Sequence, residues 1–260
     1  MSGTDDQVLV QPAQGLVLVT TGTSHAAGIL AALERHGLRP HAVLLERPVG
    51  SALVARIRDS RRRRGWGPTV LALARHVRAR IRPADEPWRT RAFYEARAGR
   101  VVTVPRLTGA EAVAALRSLQ PRVVLLGGAP ILPAELLEIA SLGTLNAHPG
   151  LLPAYRGVDV VPWAVLNGDP VGTTVHFVDA GIDTGGIVSR TPVDLRPGED
   201  LAKLQARVEG VGGERLADAA SELLERGSLP TETVAGRHPL RRRMTGDQRR
   251  AAEARLRAAR

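Results

Sequence analysis

Residues 15–20 read Gly-Leu-Val-Leu-Val-Thr; Gly22-Thr-Ser24 follows, and then a helical pattern of apolar residues runs to about His36. A short apolar run closed by a glycine turn predicts a buried strand, and strand, turn and helix in that order open a βαβ unit. Working outward, His41–Glu46, Arg100–Val104 and Arg122–Gly127 predict three more strands, with helices over Thr108–Gln120 and Pro133–Ser141. Thr108-Gly-Ala-Glu111 has the spacing of a capping box. Strands alternating with helices predict an α/β fold, a Rossmann-like and mostly parallel sheet flanked by helices, whose ligands sit at the carboxyl ends of the strands. The Gly127–Pro130 turn and the loop bearing Asn146 fall at such ends. Farther on, Thr173–Val178 and Ile187–Pro192 predict an antiparallel extension, and Leu201–Arg226 predicts a long helix softened by Gly210, Gly212 and Gly213.

This pattern divides the chain into a polar, frayed 1–14, a main α/β domain over 15–226 and a basic tail over 227–260 packed on that domain or extending from it. The stretch 56–100, with Arg61–Arg64, Trp66, Trp88, Phe93 and Tyr94, breaks the α/β rhythm. It reads as a helical insertion arm that recognises substrate or contacts a second subunit. There is no cysteine, which excludes disulfides, thiolate metal sites and a cysteine nucleophile. No apolar run reaches membrane-spanning length, and no basic-then-apolar leader opens the chain, so a cytoplasmic protein without a membrane partner is expected. The net charge is +10, carried almost wholly by arginine, with Lys203 the single lysine. Such charge attracts nucleic acid or phosphorylated substrates. It is unevenly spread and no nucleic-acid module accompanies it, so a nucleic-acid partner is not expected, and a non-catalytic basic nucleic-acid-binding protein is the contrasting class.

Chemistry concentrates between 146 and 187. Residues 146–157 read Asn-Ala-His-Pro-Gly-Leu-Leu-Pro-Ala-Tyr-Arg-Gly, and 176–187 read His-Phe-Val-Asp-Ala-Gly-Ile-Asp-Thr-Gly-Gly-Ile. A two-residue step in extended backbone points Asn146 and His148 to the same side. An amide N–H and a protonated imidazole side by side can hold a developing oxyanion, and Asp183 adds a carboxylate able to accept a proton. Taken singly, Asn146 is also a good turn residue and Asp183 a good cap. No second histidine and carboxylate stand at ligand spacing around His148, so no metal is expected. His176, inside a strand, reads as a structural histidine bonded near the site.

The ordered run Asn146-x-His148-Pro-Gly-Leu-Leu-Pro-x-Tyr155-Arg156-Gly, Trp163-Ala164, Gly172-Thr-Thr-Val-His176 and Gly181-Ile-Asp183-Thr-Gly resembles the folate-dependent N-formyltransferase family. That family takes in the catalytic domain of methionyl-tRNA formyltransferase, glycinamide ribonucleotide formyltransferase and sugar-amine N-formyltransferases. The resemblance is unbroken from about Pro133 to Val188 and weaker back to about Gly15. It implies Asn146, His148 and Asp183 as the catalytic trio and 10-formyltetrahydrofolate as formyl donor and co-substrate. It implies a pterin pocket built from Gly128, Ala129, Pro130, Ile131 and Leu132 on one side and Val178, Asp179, Ala180, Gly181 and Ile182 on the other. Tyr155 and Arg156 become candidates for contact with the acceptor; for Arg156 the other reading, slightly favoured, is an anchor that bonds backbone carbonyls.

The departures matter as well. Gly150 stands where many members have serine, and Pro162 is displaced from the position of a proline in the transfer-RNA enzymes. The residues after Asp183 leave too little chain for the barrel domain those enzymes append. The expectation is therefore an N-formyltransferase acting on the amine of a small molecule, such as an amino sugar, a modified amino acid or a pathway intermediate. The alternatives are a formyltetrahydrofolate hydrolase and a methionyl-tRNA-type enzyme lacking its C-terminal domain, and a homodimer is left open.

Overall fold

A computed structural model describes residues 11–47, 86–233 and 238–258. The described elements begin with β1 (Ala13–Thr20), α1 (Ser24–Arg35) and β2 (Pro40–Glu46). A 3-10 turn (Pro87–Arg89) and the single-turn α2 (Arg91–Glu95) lead to β3 (Arg100–Val104), α3 (Ala110–Ser118), β4 (Val123–Gly127), α4 (Ala134–Leu137) and β5 (Gly143–His148). Then come β6 (Arg156–Gly157), α5 (Val160–Asn167), β7 (Gly172–Phe177), β8 (Ile187–Pro192), α6 (Leu201–Arg226), β9 (Leu240–Arg241) and α7 (Gly246–Ala258).

Seven strands form one sheet in the order β3-β2-β1-β4-β5-β7-β8. The first five run parallel, and β7 and β8 join antiparallel. The parallel strands have both faces covered, which is why β1 and β4 read as unbroken apolar runs. On one face Leu16, Leu18 and Leu125 pack with Ile29 and Leu33 of α1 and Leu216 and Leu223 of α6. On the other, Val17, Val19 and Val124 pack with Val113 and Leu116 of α3 and Leu136 of α4. A third cluster joins Val161 and Val165 of α5, Leu204 of α6, and Ala252 and Leu256 of α7.

Several boundaries differ from the sequence reading, each for a local reason. β1 starts at Ala13, inside the stretch expected to fray, because Ala13 N donates to Arg39 O at 2.7 Å. The capping box does not form: α3 has Gly109 as N-cap with no side-chain bond. The expected Pro133–Ser141 helix contracts to the single turn of α4. β5 is a strand that the sequence reading treated as a loop; its alternation is broken by Gly143 and Asn146, but β4 and β7 pair with it on both edges. α5 went unread because Val-Val-Pro-Trp-Ala-Val-Leu is apolar on every face and shows no helical period. Pro162 falls in its first turn, where backbone N–H groups have no helical partner anyway.

The long α6 runs unbroken through its three glycines, capped by Asp200 accepting from Lys203 N (2.8 Å) and ended by Gly227 at φ 77°. A Cβ on Gly212 would lie 2.7 Å from Thr173 Oγ1, so that glycine lets α6 lie close on β7. Residues 56–85 of the expected insertion arm lie outside the described residues. The remainder, 86–99, packs Tyr94 into the core at 0% exposure and lays Trp88 O against the turn at Gly22. In the basic tail, β9 pairs with β6 and α7 packs on α5.

Candidate active site

The antiparallel pairing of β5 with β7 sets Asn146 directly opposite His176. Asn146 Nδ2 lies 3.3 Å from His176 Nε2, and His176 Nδ1 lies 2.7 Å from Phe177 O. A carbonyl can only accept, so Nδ1 carries the proton. Burial, aided by the neighbouring His148, pushes the His176 pKa down and keeps the ring neutral. Its Nε2 is then a bare acceptor and must face the NH₂ of Asn146. One N–H of Asn146 is thereby fixed and the other is left for the cleft.

Two residues on, His148 is 4% exposed. Its Nε2 donates to Tyr155 O at 2.7 Å, and its Nδ1 lies 3.5 Å from Asp183 Oδ1. Gly150 guards this arrangement: a Cβ there would stand 2.6 Å from Tyr155 O and 2.9 Å from His148 Nε2. Any side chain at this position would need the loop to shift.

Asp183 comes from the loop between β7 and β8. The loop is folded on itself: Asp179 Oδ1 accepts from Gly181 N (3.0 Å) and Thr184 Oγ1 (2.6 Å). Arg156 binds it from outside, with Nε and Nη2 on Ile182 O at 2.9 and 2.6 Å and Nη1 on His238 O at 3.3 Å. Gly157 N donates to Asp183 Oδ2 at 2.8 Å. Asp183 sits at φ 52°, a left-handed conformation that aspartate tolerates better than most residues. The clamp fixes one carboxylate oxygen and turns the other toward both imidazoles, His176 Nε2 lying 3.9 Å away.

Asn146, Asp183 and His176 border one cleft of about 260 Å³, while His148 is the deeper member of the group. The cleft wall includes Gly128, Ala129, Pro130, Ile131 and Leu132 on one side and Val178, Asp179, Gly181 and Ile182 on the other. Ala180 is exposed and does not belong to it. Gly128, at φ 71°, has no room for a side chain, since a Cβ would lie 2.6 Å from Thr23 Oγ1. Bare backbone thus forms part of the wall.

The two acceptor-contact candidates divide differently. Tyr155 is 3% exposed and its hydroxyl donates to Asp169 and accepts from Asn167 Nδ2, so the structure removes its side chain from the cleft. Arg156 has the geometry of the anchor, all three of its hydrogen bonds going to backbone carbonyls. Sequence reasoning missed His25, which follows the Gly22-Thr-Ser turn and borders the same cleft. Its signal was position, just past the carboxyl end of β1. Among the described residues no cluster of histidine, aspartate and glutamate suits a metal ion, and no helix is long and apolar enough to cross a membrane.

Comparison with known proteins gives concordant results. A methionyl-tRNA formyltransferase of Clostridioides difficile (strain 630) is 37% identical over 119 residues, 45% of this chain and 38% of that protein. One from Geobacter metallireducens is 35% identical over 134 residues, 51% of this chain and 43% of that protein. The chain thus spans about two-fifths of the length of the curated relatives it matches. Among solved structures, a sugar N-formyltransferase from Shewanella aligns with TM-score 0.57 at 14% identity, covering 93% of this chain and 87% of that one. Glycinamide ribonucleotide transformylase 1 from Symbiobacterium toebii aligns with TM-score 0.56 at 20% identity, covering 83% and 90%. These structural likenesses describe the fold. The profile of the family described as formyl transferase matches residues 68–220, more than half of the chain, and the protein belongs to that family.

Proposed function

We propose that the protein is an N-formyltransferase that moves a formyl group from 10-formyltetrahydrofolate to the amine of a small-molecule acceptor. The observation that carries this reading is that Asn146 and Asp183 border one cleft, with His148 buried behind it 3.5 Å from Asp183, and that the far wall is apolar and partly bare backbone. Small-ligand pockets run roughly 300–1,000 Å³. At about 260 Å³ the cleft falls just below that range, with room for a flat ring system and not for the whole donor. The rest of the donor would leave past Ile131, which is 72% exposed at the rim.

In this reading the amine lone pair forms the new C–N bond to the formyl carbon, and the formyl oxygen becomes an oxyanion. The free N–H of Asn146 donates to that oxygen; one such donor contributes about 10²–10³ in rate. Asp183 takes the proton that the amine must lose. When the bond to the folate nitrogen breaks, Asp183 returns a proton to that nitrogen and is itself regenerated. His148, anchored on Tyr155 O, turns its other ring nitrogen to within 3.5 Å of Asp183 Oδ1 and orients that carboxylate for the exchange.

A transfer-RNA acceptor is the second reading, favoured by the named relatives at 35–37% identity over the matched stretch. Purified protein incubated with the donor and with amino sugars, amino-acid amides and methionyl-tRNA tests both. Formylation of the small amines is the expected result, and formylation of the charged tRNA alone favours the second reading. Donor consumption without any amine points instead to hydrolysis. No donor binding in calorimetry ends the formyl-transfer reading altogether.

A further inference from the structure

His25 borders the cleft, and nothing in the chemistry above uses it. It is the second residue of α1, whose N-cap Thr23 accepts from Ala26 N (3.2 Å) and donates to Gly127 O (3.1 Å). The same two contacts that start the helix therefore fix His25 beside the 127–132 wall. The imidazole is 17% exposed, and its Nδ1 stands 3.9 Å from Glu209 Oε2 of α6. Glu209 is held in turn by Gln205 Nε2 through its other oxygen (2.9 Å). At 3.9 Å the contact with Glu209 is electrostatic and not a hydrogen bond. Among the described residues neither ring nitrogen of His25 makes a hydrogen bond.

Burial pushes the His25 pKa down, against the opposing pull of Glu209, so near neutral pH the ring is uncharged and carries one lone pair. The ring nitrogens have no hydrogen-bond partner among the described residues and still reach the cleft, so they are free to bond a ligand that enters it. His25 borders the same cleft as Asn146 and Asp183, on the side of the 128–132 wall, so donor and acceptor affinities have to be read separately to assign its contact.

We propose that His25, backed by Glu209, is a specificity residue for the acceptor: the ring accepts a hydrogen bond from an N–H or O–H of the amine substrate, and the carboxylate behind it disfavours an anionic group at that end of the cleft. The inference rests on the formyl-transfer reading and narrows its substrate class to acceptors with an uncharged or cationic hydrogen-bond donor near the attacking nitrogen.

The test measures the KM of D-glucosamine, D-glucosamine 6-phosphate and glycinamide, with donor affinity followed separately by calorimetry using 5-formyltetrahydrofolate. His25→Ala should raise the KM of the best amine about tenfold, the scale of one lost hydrogen bond. The donor Kd should stay within about twofold. His25→Gln retains an acceptor oxygen and should recover most of the loss, which a purely packing role would not predict. Glu209→Gln should narrow the preference for D-glucosamine over its 6-phosphate. An unchanged amine KM in His25→Ala overturns the proposal. So does a donor Kd that moves as far as the amine KM, a wild-type preference for the phosphorylated sugar, or a protein that binds the folate and accepts none of the amines. Failure of the formyl-transfer reading itself is distinguishable in the wild-type protein before any variant is made, because it would then either not bind the folate or consume the formyl donor with no amine present.

Discussion

Replacing His176 with methionine asks how firmly the amide of Asn146 is aimed. Methionine fills similar space without a ring nitrogen. The substitution removes the acceptor that lies 3.3 Å from Asn146 Nδ2 and the donor that lies 2.7 Å from Phe177 O. A net hydrogen bond contributes about 0.5–1.5 kcal/mol. If that bond only orients the amide, transfer slows by about two- to tenfold, since 1.4 kcal/mol is a factor of ten. Asn146→Ala, which deletes the proposed oxyanion donor, should cost about 10²–10³. A residue that itself moved a proton would cost about 10²–10⁴ on removal. A positioning role therefore falls in a range separable from the other two. Single-turnover transfer of formyl to the best amine, with donor affinity measured in parallel, reads the difference. The pH profile gives an independent readout. Protonated His176 cannot accept from Asn146, so wild-type activity should fall on the acid side, and the His176→Met variant should lose the part of that limb due to His176. A loss of a hundredfold or more, or an acid limb that does not move, would refute the positioning role.

Asp183→Asn keeps a side chain that tolerates φ 52° and can still accept from Gly157 N, but it removes the charge and the proton acceptor. Turnover should fall by about 10²–10⁴ with donor affinity nearly intact, and a variant of near-wild-type rate would exclude Asp183 from proton transfer. Arg156→Ala strips charged donors from Ile182 O and His238 O. Urea unfolding should show a loss of at least about 2 kcal/mol, together with a raised donor KM because the 178–183 loop is freed; an unchanged donor KM would count against the clamp. The stability of the protein should decline as pH falls below about 6.5. Burial holds the pKa values of His25 and His176 down in the folded state, so the unfolded chain binds more protons in that window, with a slope of up to about 1.4 kcal/mol per pH unit for each. Glu199 and Glu214, held below the usual carboxylate range by hydrogen bonds from Arg207 and Arg35, add a further loss below about pH 4.5. Thermal melts between pH 4 and pH 8 check this, and a melting temperature that rises on acidification from pH 6.5 would contradict the sign.

Local pattern alone carries the α/β class, the positions of β1 to β4, and the order of Asn146, His148 and Asp183, because apolar runs, glycine turns and motif spacing are properties of neighbours in the chain. It fails where packing overrides pattern. β5 carries two residues of the site and so lacks clean alternation, yet strands on both edges hold it in the sheet. α5 is buried all round and shows no period. Tyr155 lies beside Arg156 in the motif, but its ring packs into the third core cluster and its hydroxyl reaches Asp169 at the edge of that cluster.

The site itself is settled at long range. Asn146 meets His176 only because β7 returns antiparallel in one register, and a slip of one residue would send His176 to the opposite face. Asp183 reaches His148 only because Arg156 and Gly157 grip its loop across 26 residues of sequence. His25 joins them from the first helix because Thr23 ties its start to the end of β4. Contacts of this kind depend on which strands pair and in what register, and those choices are made by the free energy of the whole packed chain rather than by any single segment of it.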